Sequence, residues 1–108
     1  MNKKQVRKTF RKKVFERDKY HCRTCGKPGQ DRQNPELHKK FHNKPQTELD
    51  AHHIQDRTDD NYVRDNGISV CEECHLKAEK FHITHGKEWE PGFHPNDLYR
   101  LIGSNWRI

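Results

Sequence analysis

Four cysteines fall in two Cys-x-x-Cys pairs, Cys22 with Cys25 and Cys71 with Cys74, and the second pair is followed at once by His75. Four thiolates close a tetrahedral zinc shell with no open position, so a zinc held there is structural and takes no direct part in catalysis. The pairs stand 45 residues apart, so the fold must bring distant segments together. Two vicinal redox pairs or a crossed disulfide set are the competing readings, the first suiting a thiol oxidoreductase. No stretch reads as a secretory signal, which favours a reduced compartment and a metal. Between the pairs lies His52-His53. Imidazole is both a common ligand for divalent metals and a proton acceptor near neutral pH. The plainer alternative for these two is a pair of strand histidines with no chemical task.

The elements around these residues are legible in outline. Val6, Phe10 and Val14 recur every four residues amid lysine and arginine, which predicts a helix over about 3–17. His21 to Gly26 reads as a tight knuckle, with Gly26 relieving backbone strain after the second sulfur. Residues 27–47 are polar, hold Pro28, Pro35 and Pro45, and read as an inserted loop with at most one helical turn. His38 and His42 stand four apart in that loop and are expected to be exposed, with no metal assigned to them. Residues 47–54 alternate as a strand carrying the histidine pair. After a charged loop and an Asn66-Gly67 turn signal, Ile68 and Val70 mark a second strand antiparallel to the first. Ala78, Phe81 and Ile83, with Gly86 as a stop, predict a helix over about 74–85. A last helix is expected over about 96–102, capped by Asn96 or Asp97 and stopped by Gly103.

Of the 108 residues, 29% are hydrophobic and 35% charged, enough for one domain with a thin core in which a metal staple is expected. The +6 charge is concentrated at the start: residues 1–20 hold nine Lys or Arg against Glu16 and Asp18. Such a stripe favours a polyanion, because neutralised phosphates release counterions. Lys4, Lys8, Arg11 and Lys12 are the expected nucleic-acid contacts; a solvated helix face or a localisation signal is the plainer reading. No apolar run is long enough to span a membrane, and a cytoplasmic location is expected.

The run His52-His53-Ile54, then Asn66 five residues before Cys71, then Cys71-x-x-Cys74-His75, resembles the signature of the HNH endonucleases. Val14-Phe15-Glu16-Arg17-Asp18 and Cys22-x-x-Cys25-Gly26 resemble the lead-in of that family's four-cysteine, zinc-stapled branch, common in phage and homing nucleases. The likeness covers about residues 10–86. It implies an α+β chain with a small ββα-metal fold, a structural zinc and flanking helices: a basic helix over 1–20, the core over 22–86 and an extension over 87–108. It also implies that His52 and His75 ligate a catalytic divalent cation, that His53 is the general base, and that Asn66 orients the loop and the base. Many relatives carry aspartate where His52 stands, so the choice among Mg²⁺, Mn²⁺, Ni²⁺ and Zn²⁺ stays open.

The activity this implies is hydrolysis of DNA phosphodiesters to 5′-phosphate and 3′-hydroxyl ends, in the cytoplasm of a bacterial or phage-infected cell. One imidazole to deprotonate water and one cation to polarise the phosphate are enough for that chemistry. Strict strand alternation sends His52 and His53 to opposite faces, so the strand must end or twist there for both to serve one site. For a third protein ligand, Glu79 lies one helical turn after His75, where some relatives such as the colicin nucleases place a histidine. His82 competes for the role, and Glu79 also reads as a solvated residue pairing with a lysine. The alternative to cleavage is a zinc-stapled module that only binds nucleic acid. With no second recognition domain evident, either low specificity or a protein partner that supplies it is expected.

Overall fold

The structure is a computed structural model that describes residues 2–55 and 62–108. The chain opens with α1 (Lys3–Arg17), whose start is fixed by a reciprocal cap: the Asn2 side chain accepts from the Gln5 backbone N–H, and the Gln5 side chain accepts from that of Asn2. Phe10, Val14 and Phe15 form its buried face. At its end the buried Asp18 carboxylate takes two hydrogen bonds from Arg17 and one from the Ser69 backbone N–H at 2.9 Å, locking the helix to the sheet.

Three strands follow, in the order β1 (Gly29–Asp31), β2 (Thr47–His53) and β3 (Gly67–Cys71). The pair β2 and β3 is the expected antiparallel hairpin, with His52 opposite Ile68 and His53 opposite Gly67. Strand β1 pairs parallel to β2, with Gly29 opposite Thr47 and Asp31 opposite Leu49. It lies within the stretch expected to be loop. Only three residues long and carrying Gly-Gln-Asp, it has no alternation to detect; its pairing comes from the neighbour rather than from propensity. The predicted single turn inside that stretch is present as a 3-10 turn over Leu37–Lys40.

Helix α2 (Glu72–Ile83) begins two residues earlier than the periodicity indicates, because Cys71 takes the N-cap position. Its far face is open: Leu76 and Ile83 point outward. Helix α3 (Pro95–Leu101) is capped by His94, whose Nδ1 accepts from the Asn96 N–H, and has Pro95 at its first position. The stop at Gly103 holds, with φ of +68°.

Helices α1 and α2 cover opposite faces of the sheet, so every residue of β3 is buried. Phe15, Tyr20, Leu49, Ile54, Ile68, Val70, Leu98 and Tyr99 make the core, each burial of this size contributing ~1.5–3 kcal/mol. Gly67 corrects the turn reading of Asn66-Gly67. Its backbone is extended at φ −127°, and a Cβ there would come within 2.5 Å of Val14 and 2.6 Å of Phe10. The glycine is there for close helix-to-strand packing, not for a turn.

Candidate metal centres and the groove beside them

The four cysteines converge. One sulfur from each of Cys22, Cys25, Cys71 and Cys74 lies within 4.8 Å of the others, and the approach of Cys25 to Cys71 is 3.8 Å. The knuckle geometry explains the first pair: Gly26 takes φ +84° and its N–H bonds to the Cys22 carbonyl at 2.7 Å. The second pair is set by the junction of β3 and α2. Burial raises the Cys22 thiol, but hydrogen bonds from Thr24 and from the backbone of Cys71 and Cys25 outweigh it and bring the pKa down to about 6. Cys74 is pushed up, by burial and then by its sulfur neighbours. One favoured thiolate among crowded thiols is what a cation would resolve, and the donor set suits a soft divalent ion such as zinc.

A second cluster forms across β2 and α2. His52 is 2% exposed and sends its ring toward the helix, where His75 and Glu79 stand one turn apart. Donor atoms of His52, His75 and Glu79 lie within 4.8 Å of one another. Glu79 Oε1 is 3.2 Å from His52 Nδ1 and 3.1 Å from His75 Nε2. These separations approach the ~3.4 Å edge of a tetrahedron whose ligands sit ~2.1 Å from a central ion. The buried His52 Nδ1 has no hydrogen-bond partner among the described residues beyond this contact with Glu79. Burial also lowers the pKa of His52 and keeps its ring neutral, while the contact with His52, opposed by burial, leads in holding Glu79 down to about 2. A neutral imidazole and an ionised carboxylate are the forms that bind a metal.

Asp50 completes this cluster. Two residues before His52, it shares that residue's face of β2, and its Oδ2 lies 3.2 Å from His75 Nδ1. In the neutral tautomer that assigns the proton to Nδ1 and leaves the Nε2 lone pair facing Glu79 and His52, the usual way a carboxylate orients a ligating histidine. Hydrogen bonding to Asp50 raises the pKa of His75 against the opposing effect of burial, so a metal at Nε2 displaces a proton. The i, i+2 spacing of Asp50 and His52 was the available signal in the sequence; its partner 25 positions away was not.

His82 has a different task. Its Nε2–H donates to the His53 carbonyl at 3.2 Å, which fixes the end of β2. Its donors do not join the cluster of His52, His75 and Glu79.

His53 faces the other way, as strand alternation requires. Its ring stacks on Phe10 of α1 at 4.2 Å and meets Tyr62 edge-on at 4.5 Å. Fully buried Asn66 ties down the chain just beyond: its Oδ1 accepts from the Gln55 N–H at 2.9 Å and from the Tyr99 hydroxyl at 2.7 Å. His53 and His75 nevertheless border one groove of about 640 Å³, which also holds Arg7, Arg11 and Arg32. Compared with family models, curated proteins and solved structures, the chain matches none.

The remaining expected sites divide. Lys4, Lys8 and Lys12 are exposed on α1, Lys12 within 4.0 Å of Glu16, whereas Arg11 is largely covered and paired with Asp31 at 3.1 Å. His38 and His42 are not exposed as expected. His38 is 4% exposed and its Nδ1–H donates to the Pro35 carbonyl, while the Nε2–H of His42 donates to the Tyr20 carbonyl at 3.0 Å. His42 thus fastens the crossover loop to the chain entering the knuckle and His38 closes a turn within the loop, structural duties that four-residue spacing alone does not reveal. No helix among the described residues is long and apolar enough to cross a membrane.

Proposed function

We propose that this chain is a metal-dependent DNA endonuclease of the HNH type, in which β2, β3 and α2 make up the ββα-metal unit. The observation that carries the reading is the convergence of His52, His75 and Glu79 across the hairpin and helix, with the adjacent His53 bordering a groove walled by arginines. His52, His75 and Glu79 would hold the divalent cation, which when bound supplies charge to polarise a phosphate and its leaving oxygen.

The chain's own groups do the rest. His53 accepts the proton of the attacking water; a ring braced by Phe10 and Tyr62, on a carbonyl held by His82, meets the groove in one orientation. Asp50 keeps the His75 lone pair turned inward. Asn66 anchors the turn after His53 through Gln55 and Tyr99, so the base cannot drift from the groove. The four cysteines hold the knuckle to the β3–α2 junction and thus keep α1 against the sheet.

The reading in which this is a zinc-stapled module that binds nucleic acid without cutting it draws on one feature, the placement of the His53 ring on the strand face opposite His52. Incubating supercoiled plasmid with Mg²⁺, Mn²⁺, Ni²⁺ or Zn²⁺ separates the two. Nicked or linear product from the wild type and none from His53→Ala supports the nuclease; intact plasmid with every ion removes it.

A further inference from the structure

Arg11 stands apart from the other cations of α1. On a helical wheel Arg7 and Arg11 lie within the arc bounded by Phe10, Val14 and Phe15, whereas Lys8 and Lys12 lie beyond its Phe15 edge and do not line the groove. Where α1 overhangs β1 and β2 that arc meets no core, and Arg7 and Arg11 become one wall of the groove bordered by His53 and His75. Arg32, just beyond β1, lies on the facing side.

The groove is not simply basic. Asp31 and Asp50 also line it, but each carboxylate already has a partner: Asp50 holds His75, and Asp31 accepts Arg11 Nε–H at 3.1 Å and the Gln33 backbone N–H at 2.9 Å. The Asp31 side chain is only 4% exposed and that of Arg11 19% exposed, so the guanidinium is held in place by a nearly dry carboxylate. Arg7 has no ion-pair partner among the described residues, and Arg32 pairs with the exposed Glu48 outside the groove.

Resting on the nuclease reading above, we infer that Arg11, pre-oriented by Asp31, seats a backbone phosphate of DNA in this groove, and that Arg7 and Arg32 take the flanking backbone. An arginine engaged through Nε keeps both terminal nitrogens for a planar, two-pronged contact with phosphate oxygens. Lysine has only one nitrogen to share between Asp31 and a phosphate, and so cannot offer the two-pronged planar contact while the carboxylate holds it. Arg11 is therefore a positioning residue whose geometry matters beyond its charge, unlike the outward lysines, whose contribution is charge alone.

The test is Arg11→Lys, with Arg7→Gln and Lys8→Gln beside it. Binding of a fluorescent DNA duplex is followed by anisotropy over a salt series with no chelator and no divalent ion added, so that a metal on the four cysteines stays in place, and cleavage kinetics are followed with metal added. Arg11→Lys keeps the charge, so its salt slope should match the wild type while its affinity falls about tenfold, the loss expected for one charge-assisted hydrogen-bonded pair. Lys8→Gln should instead flatten the slope and weaken binding much less. Asp31→Asn should reproduce the Arg11→Lys loss; thermal melting of each variant shows whether it is folded, and Arg11→Lys, which leaves Asp31 intact, decides the matter if Asp31→Asn is not. Wild-type affinity in folded Arg11→Lys, or no DNA binding by the wild type, overturns the inference. Because binding is measured without the added divalent ion, a protein that seats DNA through Arg11 yet never cuts it would remove the nuclease reading and leave this one standing.

Discussion

The two ligand clusters of this chain are built from opposite materials. The cysteine cluster offers four soft donors, with three of the four buried, and joins two segments that are distant in sequence; a metal there has every position filled. The cluster of His52, His75 and Glu79 offers three harder donors, two of them only half-buried, on a hairpin and helix that already pack against each other. Three protein ligands leave room for water or substrate. On the proposed function, the difference separates a staple, whose loss would cost the fold, from a working site, whose loss would cost only chemistry. It also explains why the chain can tolerate a thin core: the closed cluster fixes the knuckle to the β3–α2 junction where hydrophobic area is scarce.

The sharpest way to break that comparison is to disable the staple. Cys22→Ser should strip one metal per chain and abolish recovery of folded protein, since structural zinc contributes ~10–16 kcal/mol of apparent free energy in small zinc-dependent folds. Elemental analysis together with thermal melting checks it. Folded, metal-free wild-type protein would show that the cysteines do not staple anything.

Removing the proposed base should act on the chemistry proposed for the other cluster alone. His53→Ala is expected to lower the cleavage rate by ~10²–10⁴-fold, the range for loss of a general base. Its melting temperature should fall by much less than in Cys22→Ser, by what the lost ring contacts, those with Phe10 and Tyr62 among them, contribute. Comparing single-turnover cleavage with a melting curve separates the two effects, and near-wild-type cleavage would move the base elsewhere.

How far this was legible in the sequence depends on whether the partners are local. The strand, strand, helix order from Thr47 to Ile83 follows from alternation and helical period, and the Cys-x-x-Cys spacing indicates a four-sulfur site directly. Glu79 was visible as a ligand candidate because i, i+4 pairs always share a helix face. Strand β1 was not visible, since three polar residues in parallel pairing carry no periodic signal, and neither were the buried roles of His38 and His42. Gly67 shows the same limit in reverse. A dipeptide that favours turns was read locally, but its glycine answers to Phe10 and Val14, more than 50 positions away. Asp50 was passed over because its purpose appears only once α2 lies across β2.

Within the open cluster, the comparison sharpens to one between neighbours on α2. Glu79→Gln should lower affinity for Mn²⁺ by at least ~10-fold, the scale on which even supporting groups around a metal act, whereas His82→Ala should leave it nearly unchanged because its donors do not join the cluster. Asp50→Asn should fall between them, still able to accept from His75 but without the charge that raises its basicity. Calorimetric titration measures all three. A loss in His82→Ala matching that in Glu79→Gln would place His82 among the ligands.

The smallest effect is expected from the surface that belongs to neither cluster. Lys4, Lys8 and Lys12 are exposed on α1, away from the groove, and touch neither ligand set. On the proposed function their contribution to DNA binding is long-range attraction, which salt screens over ~10 Å at 0.1 M. Each phosphate neutralised contributes ~0.9 to the slope of log affinity against log salt, so replacing all three by glutamine should reduce that slope by no more than ~3. Cleavage of DNA at saturating concentration should persist, because seating of the backbone depends on Arg11 and its fixed carboxylate. The difference between triple-variant and wild-type binding should shrink toward nothing as salt rises. An unchanged slope would assign the lysines to solubility, and a slope change with loss of saturated cleavage would mean that α1 presents them to the substrate far more closely than its exposed face indicates.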